Sequence, residues 1–466
     1  MSSEFQFLYE ADIVVCGAGT AGSIAAIAAA NEGKTVALIE QFGSAGGTAT
    51  LGLVTPLMHT GIKGNPMCSY ISQAINKKLV EYGGASGDGS AFDPQMLALI
   101  LEEFLDNEKI KIFYHTFICD VQKEGNAIKG IIVHNKSGRG LIIGKIYIDA
   151  TGDGDVSYLA KASFLSGDEE TNKNQPVSLR YMVGGVDIER FWNYLNQHKT
   201  PEQREEKYDP NQNFHAAVTI PDRGWPLYPV FMEAINKGDL IEEDAIYWQV
   251  FGVPGRRDTL AFNCPEFFDR TNATNYEDLT HVQIQGKKAI LRQLRFYKKY
   301  FPGFEDAYIS DIASMVGVRE SRRIVTDYIL TAEDVVSHRK FEDGIAQSNY
   351  PVDIHGRKLK LIYTEGSKSK DNEKPYYEIP YRSLVVKDID NLLVAGRCIG
   401  ADFVAQSSLR IMPTCRAIGE ACGIAASLAI EKNINIHSIN GADVRRCMIQ
   451  KGAQFEGAGN DCDTAD

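Results

Sequence analysis

The sequence predicts an α/β fold in which a sheet of mainly parallel strands, extended by a small antiparallel meander, is interrupted by an inserted α+β domain. Three observations predict it. Residues 11–40 read as strand, glycine-rich turn, helix, second strand and a terminal acid. Residues 111–148 hold short alternating apolar runs separated by turn residues. Residues 165–375 change to an aromatic- and proline-bearing composition with long polar segments, before α/β character resumes at Ile379. A chain of 466 residues is too long for one simple core, so two or three domains are expected.

Asp12-Ile13-Val14-Val15-Cys16 is a short, mostly apolar run, as a parallel strand buried on both faces requires. GxGxxG follows at once as Gly17, Gly19 and Gly22. Gly17 permits the tight turn, Gly19 lets backbone approach a pyrophosphate, and Gly22 lets the helix pack close to the strand. The alanine-rich helix that follows points its positive end at the phosphates. Residues 35–39 form the return strand, and Glu40 sits where a carboxylate accepts hydrogen bonds from a ribose. A lone glycine motif is weak, but these five features at this spacing predict a site for an adenine dinucleotide.

Residues 41–52 form a glycine-rich loop that would carry the chain past the phosphates. A second glycine cluster at 83–90 follows no strand and is read as a plain loop. Asp93-Pro94 opens a helix, Asp93 as N-cap and Pro94 in the first turn, with Leu97, Ile100, Leu101, Phe104 and Leu105 on its apolar face. A strand at 111–115 and the runs at 117–121, 127–134 and 141–148 give the meander. It ends in Asp149-Ala150-Thr151-Gly152-Asp153-Gly154-Asp155, where helix capping or cofactor contact is expected of the acids. No carboxylates continue at calcium-loop spacing, so no metal site is expected.

In the inserted region, residues 281–300 form a basic amphipathic helix, read as a solvated face. Arg319, Arg322 and Arg323 either clamp an anionic substrate or pair with Glu320 and Asp327. His355 stands two residues from Asp353, an arrangement suited to acid–base work or to a merely structural role. Beyond it, residues 391–397 read as a buried strand ending in glycine and Arg397. Pro413 lies in the first turn of a small-residue helix whose positive end would face an electron-rich partner. Residues 367–374 form one of the long polar segments, and the Gly/Asp-rich tail 457–466 is read as frayed.

Composition is ordinary for a globular protein, 44% hydrophobic and 24% charged. A net charge of −12 argues against a nucleic-acid or anionic-membrane partner. The N-terminus lacks the pattern of a secretory leader, and no apolar run approaches the ~20 residues that span a bilayer. The nine cysteines form no CxxC pair. Dispersed and odd in number, they suit a reducing compartment, and a cytoplasmic protein is expected.

Four blocks together resemble one family: GAGTAGSIAAIAAA with Glu40, AGGTAT, IDATGDGDV, and LLVAGRCIGADFVAQSSLRIMPTCRAIGEACGIAA. They are similar to the FAD-dependent oxidoreductases of the glutathione-reductase type, as is GVRESRRIVTDYILTAEDV. The resemblance implies a Rossmann-like FAD-binding domain from residues 1–163 and 376–435, an inserted substrate or cap domain at 164–375, and a C-terminal segment at 436–466 with a flexible tail. It implies Gly17, Ala18, Gly19, Ala21 and Gly22 at the pyrophosphate, Glu40 and Gln41 at the adenosine ribose, and Ile118 near the adenine. Thr151, Gly152 and Asp153 would line the cofactor, and Gly46, Gly47 and Thr48 would approach its pyrophosphate and ring. Arg397, Asp402, Met412, Pro413 and Thr414 would follow the ribityl chain and flavin pyrimidine. Relatives often carry a histidine in the loop after AGR, where this chain has Gly400-Ala401-Asp402-Phe403-Val404. The AGGTAT loop has no histidine either, so FAD is expected to be non-covalent.

The function expected is hydride transfer between a small molecule and flavin N5. Arg319 and Arg410 would orient an anionic or polar substrate and His355 would handle the proton. A nicotinamide-dependent flavin or dithiol reductase is disfavoured by the missing second glycine motif and cysteine pair. A non-redox hydratase, isomerase or binding protein holding FAD is the third reading.

Overall fold

The computed structural model describes residues 6–58, 68–87, 89–201, 204, 207–208, 214–219 (backbone only at 215–219), 227–355 and 376–456. The polar segment 367–374 and the tail 457–466 lie outside the described residues. The chain opens with β1 (Gln6–Cys16), α1 (Gly22–Asn31), β2 (Val36–Ile39), α2 (Tyr70–Glu81), α3 (Pro94–Leu105) and β3 (Ile110–Phe113). The antiparallel strands β4 (Phe117–Glu124), β5 (Ala127–Asn135) and β6 (Gly138–Asp149) follow. β1 pairs in parallel with both β2 and β6, so the meander continues the main sheet through β6. Ile13, Val14, Val15 and Cys16 are fully buried in the core that this sheet shares with α1 and α10. Asp93 caps α3 by accepting from the Gln95 and Met96 amides.

After α4 (Asp155–Leu159) and β7 (Phe164–Ser166) the chain builds a second core from β8 (Val177–Ser178), β9 (Tyr181–Gly184), α5 (Ile188–His198), β10 (His215–Thr219), α6 (Tyr228–Asn236), β11 (Tyr247–Val253), β12 (Arg256–Phe262), β13 (Glu266–Phe267), α7 (Tyr276–Tyr300) and β14 (Tyr308–Ile312). Its sheet is antiparallel, ordered β10-β11-β12-β9-β14. Phe231, Trp248, Phe262, Phe296 and Tyr297 fill this core. The polar ends of its aromatics are satisfied internally: Trp248 Nε1 donates to Tyr297 Oη at 2.9 Å, and Tyr181 Oη to Gln293 Oε1 at 2.8 Å. α7 buries Val282, Ala289, Ile290 and Phe296 and exposes Lys287, Lys288, Arg295 and Lys298, the solvated basic face its spacing implied.

The chain returns through β15 (Arg322–Ile324), which pairs with β7, and continues as α8 (Ala332–Val336), β16 (Gly344–Ser348), β17 (Tyr377–Pro380), β18 (Leu392–Val394), α9 (Phe403–Leu409), α10 (Met412–Lys432) and α11 (Gly441–Gln450). β18 joins the first sheet beside β6. The second core spans residues 177–318, with Leu53 added from outside, and the first core resumes at Ile324. That is well before the expected boundary at 376, because Leu330, Val335, Phe341, Ile345 and Val352 pack into the first core. These apolar residues sit in ones and twos among polar ones, so composition hid them. Among the described residues no helix is long and apolar enough to cross a membrane.

α10 lies against α1 through two glycines one helical turn apart. A Cβ at Gly419 would overlap the Ala21 carbonyl oxygen, and one at Gly423 the Ala25 carbonyl oxygen and the Ala28 methyl. Glycine to alanine in a helix normally stabilises by about 1 kcal/mol. Here overpacking decides the sign: Gly423→Ala is expected to destabilise by about 1–3 kcal/mol in urea unfolding, and a stabilised variant would contradict this packing.

Candidate active site

A cavity of about 1530 Å³ runs between the two cores. Single-ligand clefts usually measure roughly 300–1,000 Å³, so this one has room for a cofactor and a second molecule.

Its walls begin at the turn after β1. Gly17 has φ +94°, and a Cβ there would stand 2.6 Å from the Ala150 carbonyl oxygen. Glu40, at the end of β2, closes the turn: its carboxylate accepts from the Ala18 amide at 2.8 Å and the Phe42 amide at 2.9 Å. Burial raises the Glu40 pKa, while these amides pull it down. Gly46 donates to the Ala18 carbonyl at 2.8 Å, which brings the 46–50 turn onto the glycine motif. Gly47 then packs so near Gly19 Cα that a Cβ would sit 2.9 Å away.

The second wall is organised by Asp149, a fully buried acid at the end of β6. It accepts from Thr151 Oγ1 at 2.7 Å, the Ser157 amide at 2.8 Å and Ser157 Oγ at 2.7 Å, which folds the ATG turn and starts α4. Arg397, just past β18, reaches Asp153 Oδ1 at 2.6 Å, and its Nε is buried without a partner among the described residues. α10 begins at the cavity, with Met412 and Cys415 in the lining. Burial pushes the Cys415 thiol up to about 12.

The third wall carries a charged cluster. His355 Nδ1 lies 3.0 Å from Glu266 Oε1, and Nε2 lies 3.4 Å from Asp353 Oδ1. Arg319 meets Glu266 at 2.8 Å and donates to the Pro176 carbonyl at 2.7 Å. Arg410 donates to Asp353 Oδ2 at 3.2 Å and to its carbonyl at 3.1 Å. Burial and then Arg319 press His355 toward its neutral form, but Glu266 and Asp353 outweigh both and raise its pKa above 6.5. Burial alone would raise both acids; Arg319 and His355 bring Glu266 down, and His355 and Arg410 hold Asp353 well below the carboxylate range.

Of the residues expected at the site, Gly17, Gly19, Ala21, Glu40, Gln41, Gly47, Thr48, Ile118, Thr151, Gly152, Asp153, Arg397, Met412, Arg319, His355 and Arg410 line this one cavity. Ala18, Gly22, Gly46, Asp402, Pro413 and Thr414 are not in its lining. Ala18 and Gly46 shape the turn beneath it, and a Cβ at Gly22 would overlap the Gly17 carbonyl oxygen. Pro413 and Thr414 are buried in the first turn of α10. Asp402 caps α9 through Ala405 N at 2.7 Å and accepts from Ala332 N at 2.6 Å. Its carboxylate is thus committed to two helix starts, so the place where relatives carry a histidine is here a cap.

The arginine triplet divides. Arg319 and Arg322 both line the cavity. Arg323 pairs with Glu320 and donates to the Ala401 and Gly167 carbonyls, while Arg322 pairs with Asp155 at 2.8 Å. Asp327 pairs with His437 instead. Sequence reading missed Arg180, Asn263 and Glu266, which share no motif, and the organising role of Asp149, whose signal was an acid ending a buried strand.

The family described as FAD dependent oxidoreductase matches residues 12–448. No curated protein matches the chain. Among solved structures, p-nitrophenol 4-monooxygenase PnpA from Pseudomonas putida DLL-E4 is 9% identical, over 96% of this chain and 87% of that one, with a TM-score of 0.46. A geranylgeranyl bacteriochlorophyll reductase-like protein from Thermoplasma acidophilum is 12% identical, over 95% and 84%, with a TM-score of 0.42. The probable FAD-dependent monooxygenase pqsL from Pseudomonas aeruginosa is 11% identical, over 95% and 92%, with a TM-score of 0.40. With the family matched over nearly its whole length, the chain belongs to the FAD-dependent oxidoreductases, and its cofactor is FAD.

Proposed function

We propose that the protein transfers a hydride between a small molecule and FAD held non-covalently in this cavity, with His355 carrying the accompanying proton. The observation that carries the reading is the imidazole set between Glu266 and Asp353 in the same cavity as the glycine turn.

The residues present fit the cofactor. Gly17 and Gly47 line the cavity and let the Ala150 peptide and Gly19 pack against them, a tight turn of the kind that lets backbone approach a pyrophosphate. Glu40 and Gln41 would hold the ribose, Ile118 the adenine, and the unpartnered Arg397 Nε an oxygen further along. The start of α10 would face the polar edge of the flavin and favour negative charge there. When bound, FAD supplies a two-electron acceptor whose N5 takes or returns a hydride.

In the oxidising direction neutral His355 takes the proton of a substrate hydroxyl or amine as the C–H hydride departs. In the reducing direction the imidazolium returns it. Arg319 and Arg410 act here through Glu266 and Asp353, fixing the carboxylates that hold the ring, and so serve as positioning residues.

Glu40→Ala is expected to weaken FAD binding by about 1.5–3 kcal/mol, roughly 10- to 150-fold in Kd, measured by flavin fluorescence titration of apoprotein. Unchanged affinity would remove Glu40 from the ribose. His355→Asn should keep its FAD yet slow flavin reduction in anaerobic stopped flow by about 10²–10⁴-fold, the usual worth of a positioned acid–base. Because the His355 pKa is raised, the wild-type oxidative rate should climb as pH rises through a midpoint above 6.5, and the reductive rate should fall over the same window. A flat profile, or an unimpaired variant, would sink the assignment.

A further inference from the structure

Two polar groups of the cavity lack a hydrogen-bonding partner among the described residues. Arg180, on the segment entering β9, is 8% exposed, lines the cavity, and has no hydrogen-bond or ion-pair partner for its guanidinium among the described residues. Asn263, just after β12, is 6% exposed. Its Nδ2 donates to Tyr247 Oη at 2.7 Å and Gln249 Oε1 at 3.1 Å, which leaves Oδ1 buried without a donor.

The charges around them do not balance. Arg319 is matched by Glu266 and Arg410 by Asp353. Arg180 has no carboxylate of its own among the described residues, Glu266 acting on it only at longer range while paired with Arg319, so the cluster keeps one positive charge even when His355 is neutral. Burial, partly offset by Tyr247, lowers the Arg180 pKa only to about 10, so the guanidinium stays charged at neutral pH. An apolar side chain of similar size would be the more stable choice at a purely structural position. Both residues line the same cavity, and a buried cation together with a buried acceptor suits a ligand carrying the complementary groups.

We propose that the substrate is a small carboxylate with a hydroxyl or amino group nearby, its carboxylate received by Arg180 and its donor by Asn263 Oδ1. This rests on the hydride-transfer reading for the meaning of substrate, though not for the binding itself. A carboxylate matches the planar guanidinium in shape, and its single charge equals the one left over.

The test uses FAD-loaded protein and three probes of similar size: lactate, propionate and lactamide. Calorimetric titration is expected to show lactate binding about tenfold or more tighter than lactamide, with propionate between them, since a hydrogen bond to a charged group is worth about 1.5–3 kcal/mol. Arg180→Met should lose the preference for lactate over lactamide while retaining FAD, and Arg180→Lys should keep it. Asn263→Ala should bring lactate and propionate together. Equal binding of lactate and lactamide, an undiminished preference in Arg180→Met, or no binding of either carboxylate overturns the proposal. Anaerobic flavin bleaching by a neutral compound, equally fast in Arg180→Met, also overturns it while leaving hydride transfer intact. Carboxylate binding that depends on Arg180 but never bleaches the flavin supports the anion site and counts against the redox reading alone.

Discussion

The cofactor half of this protein depends on how closely backbone can approach backbone around the turn after β1. Gly17 touches the Ala150 peptide, Gly22 the Gly17 carbonyl, and Gly419 the carbonyl of Ala21. Four chain segments therefore meet where no side chain fits: the turn, the start of α1, the end of β6 and the middle of α10. Dispersion at such short range is strong because nothing separates the peptides, and any added methyl forces the whole stack apart. The stack also sets the positions of Glu40 and Asp149, whose carboxylates accept the backbone and hydroxyl donors that such sharp turns leave unpaired.

That dependence explains what was legible in the sequence. The strand–turn–helix–strand unit, the meander and the Asp93 cap announce themselves because local rules govern them: glycine where backbone is crowded, period-two apolarity, and an oxygen one turn from free amides. Gly17, Gly19 and Glu40 were found for the same reason, whereas Ile118, Thr151 and Met412 were reached only through the family resemblance of their blocks. Glu266 and Arg180 lie outside any such unit. Glu266 matters through Arg319 and His355, both more than fifty residues away in the chain, and a lone arginine or glutamate carries no periodic signal. The arginine triplet shows the limit well. Of three nearby residues of one type, Arg319 and Arg322 line the cavity and Arg323 braces loops, because nearby positions on this segment point to different surroundings. Asp402 shows the converse, a residue read by analogy as cofactor-facing whose geometry makes it a helix cap.

The two cores differ in how they handle polarity. The first is aliphatic and alanine-rich, as thin helices packed closely on a sheet require. The second is aromatic, and it ties its buried hydroxyls and indole into a closed network around Tyr297. Between them lies the charged cluster, where His355, Glu266, Asp353 and the arginines are drawn from both bodies and held by one another. Such a cluster, screened from water, has a strong field and little freedom to rearrange, so it is prepared for charge before any ligand arrives.

The three-residue ladder between Phe164–Ser166 and Arg322–Ile324 joins the point where the chain leaves the first core to the point where it comes back. Everything between those strands thus enters and exits through one doorway, whose frame is made of main-chain hydrogen bonds and is indifferent to what hangs from it. In evolutionary terms the intervening segment is a cassette. A different one, ending in strands of the same length, would meet an unaltered nucleotide-binding frame, and new chemistry could be acquired without relearning how to hold the cofactor.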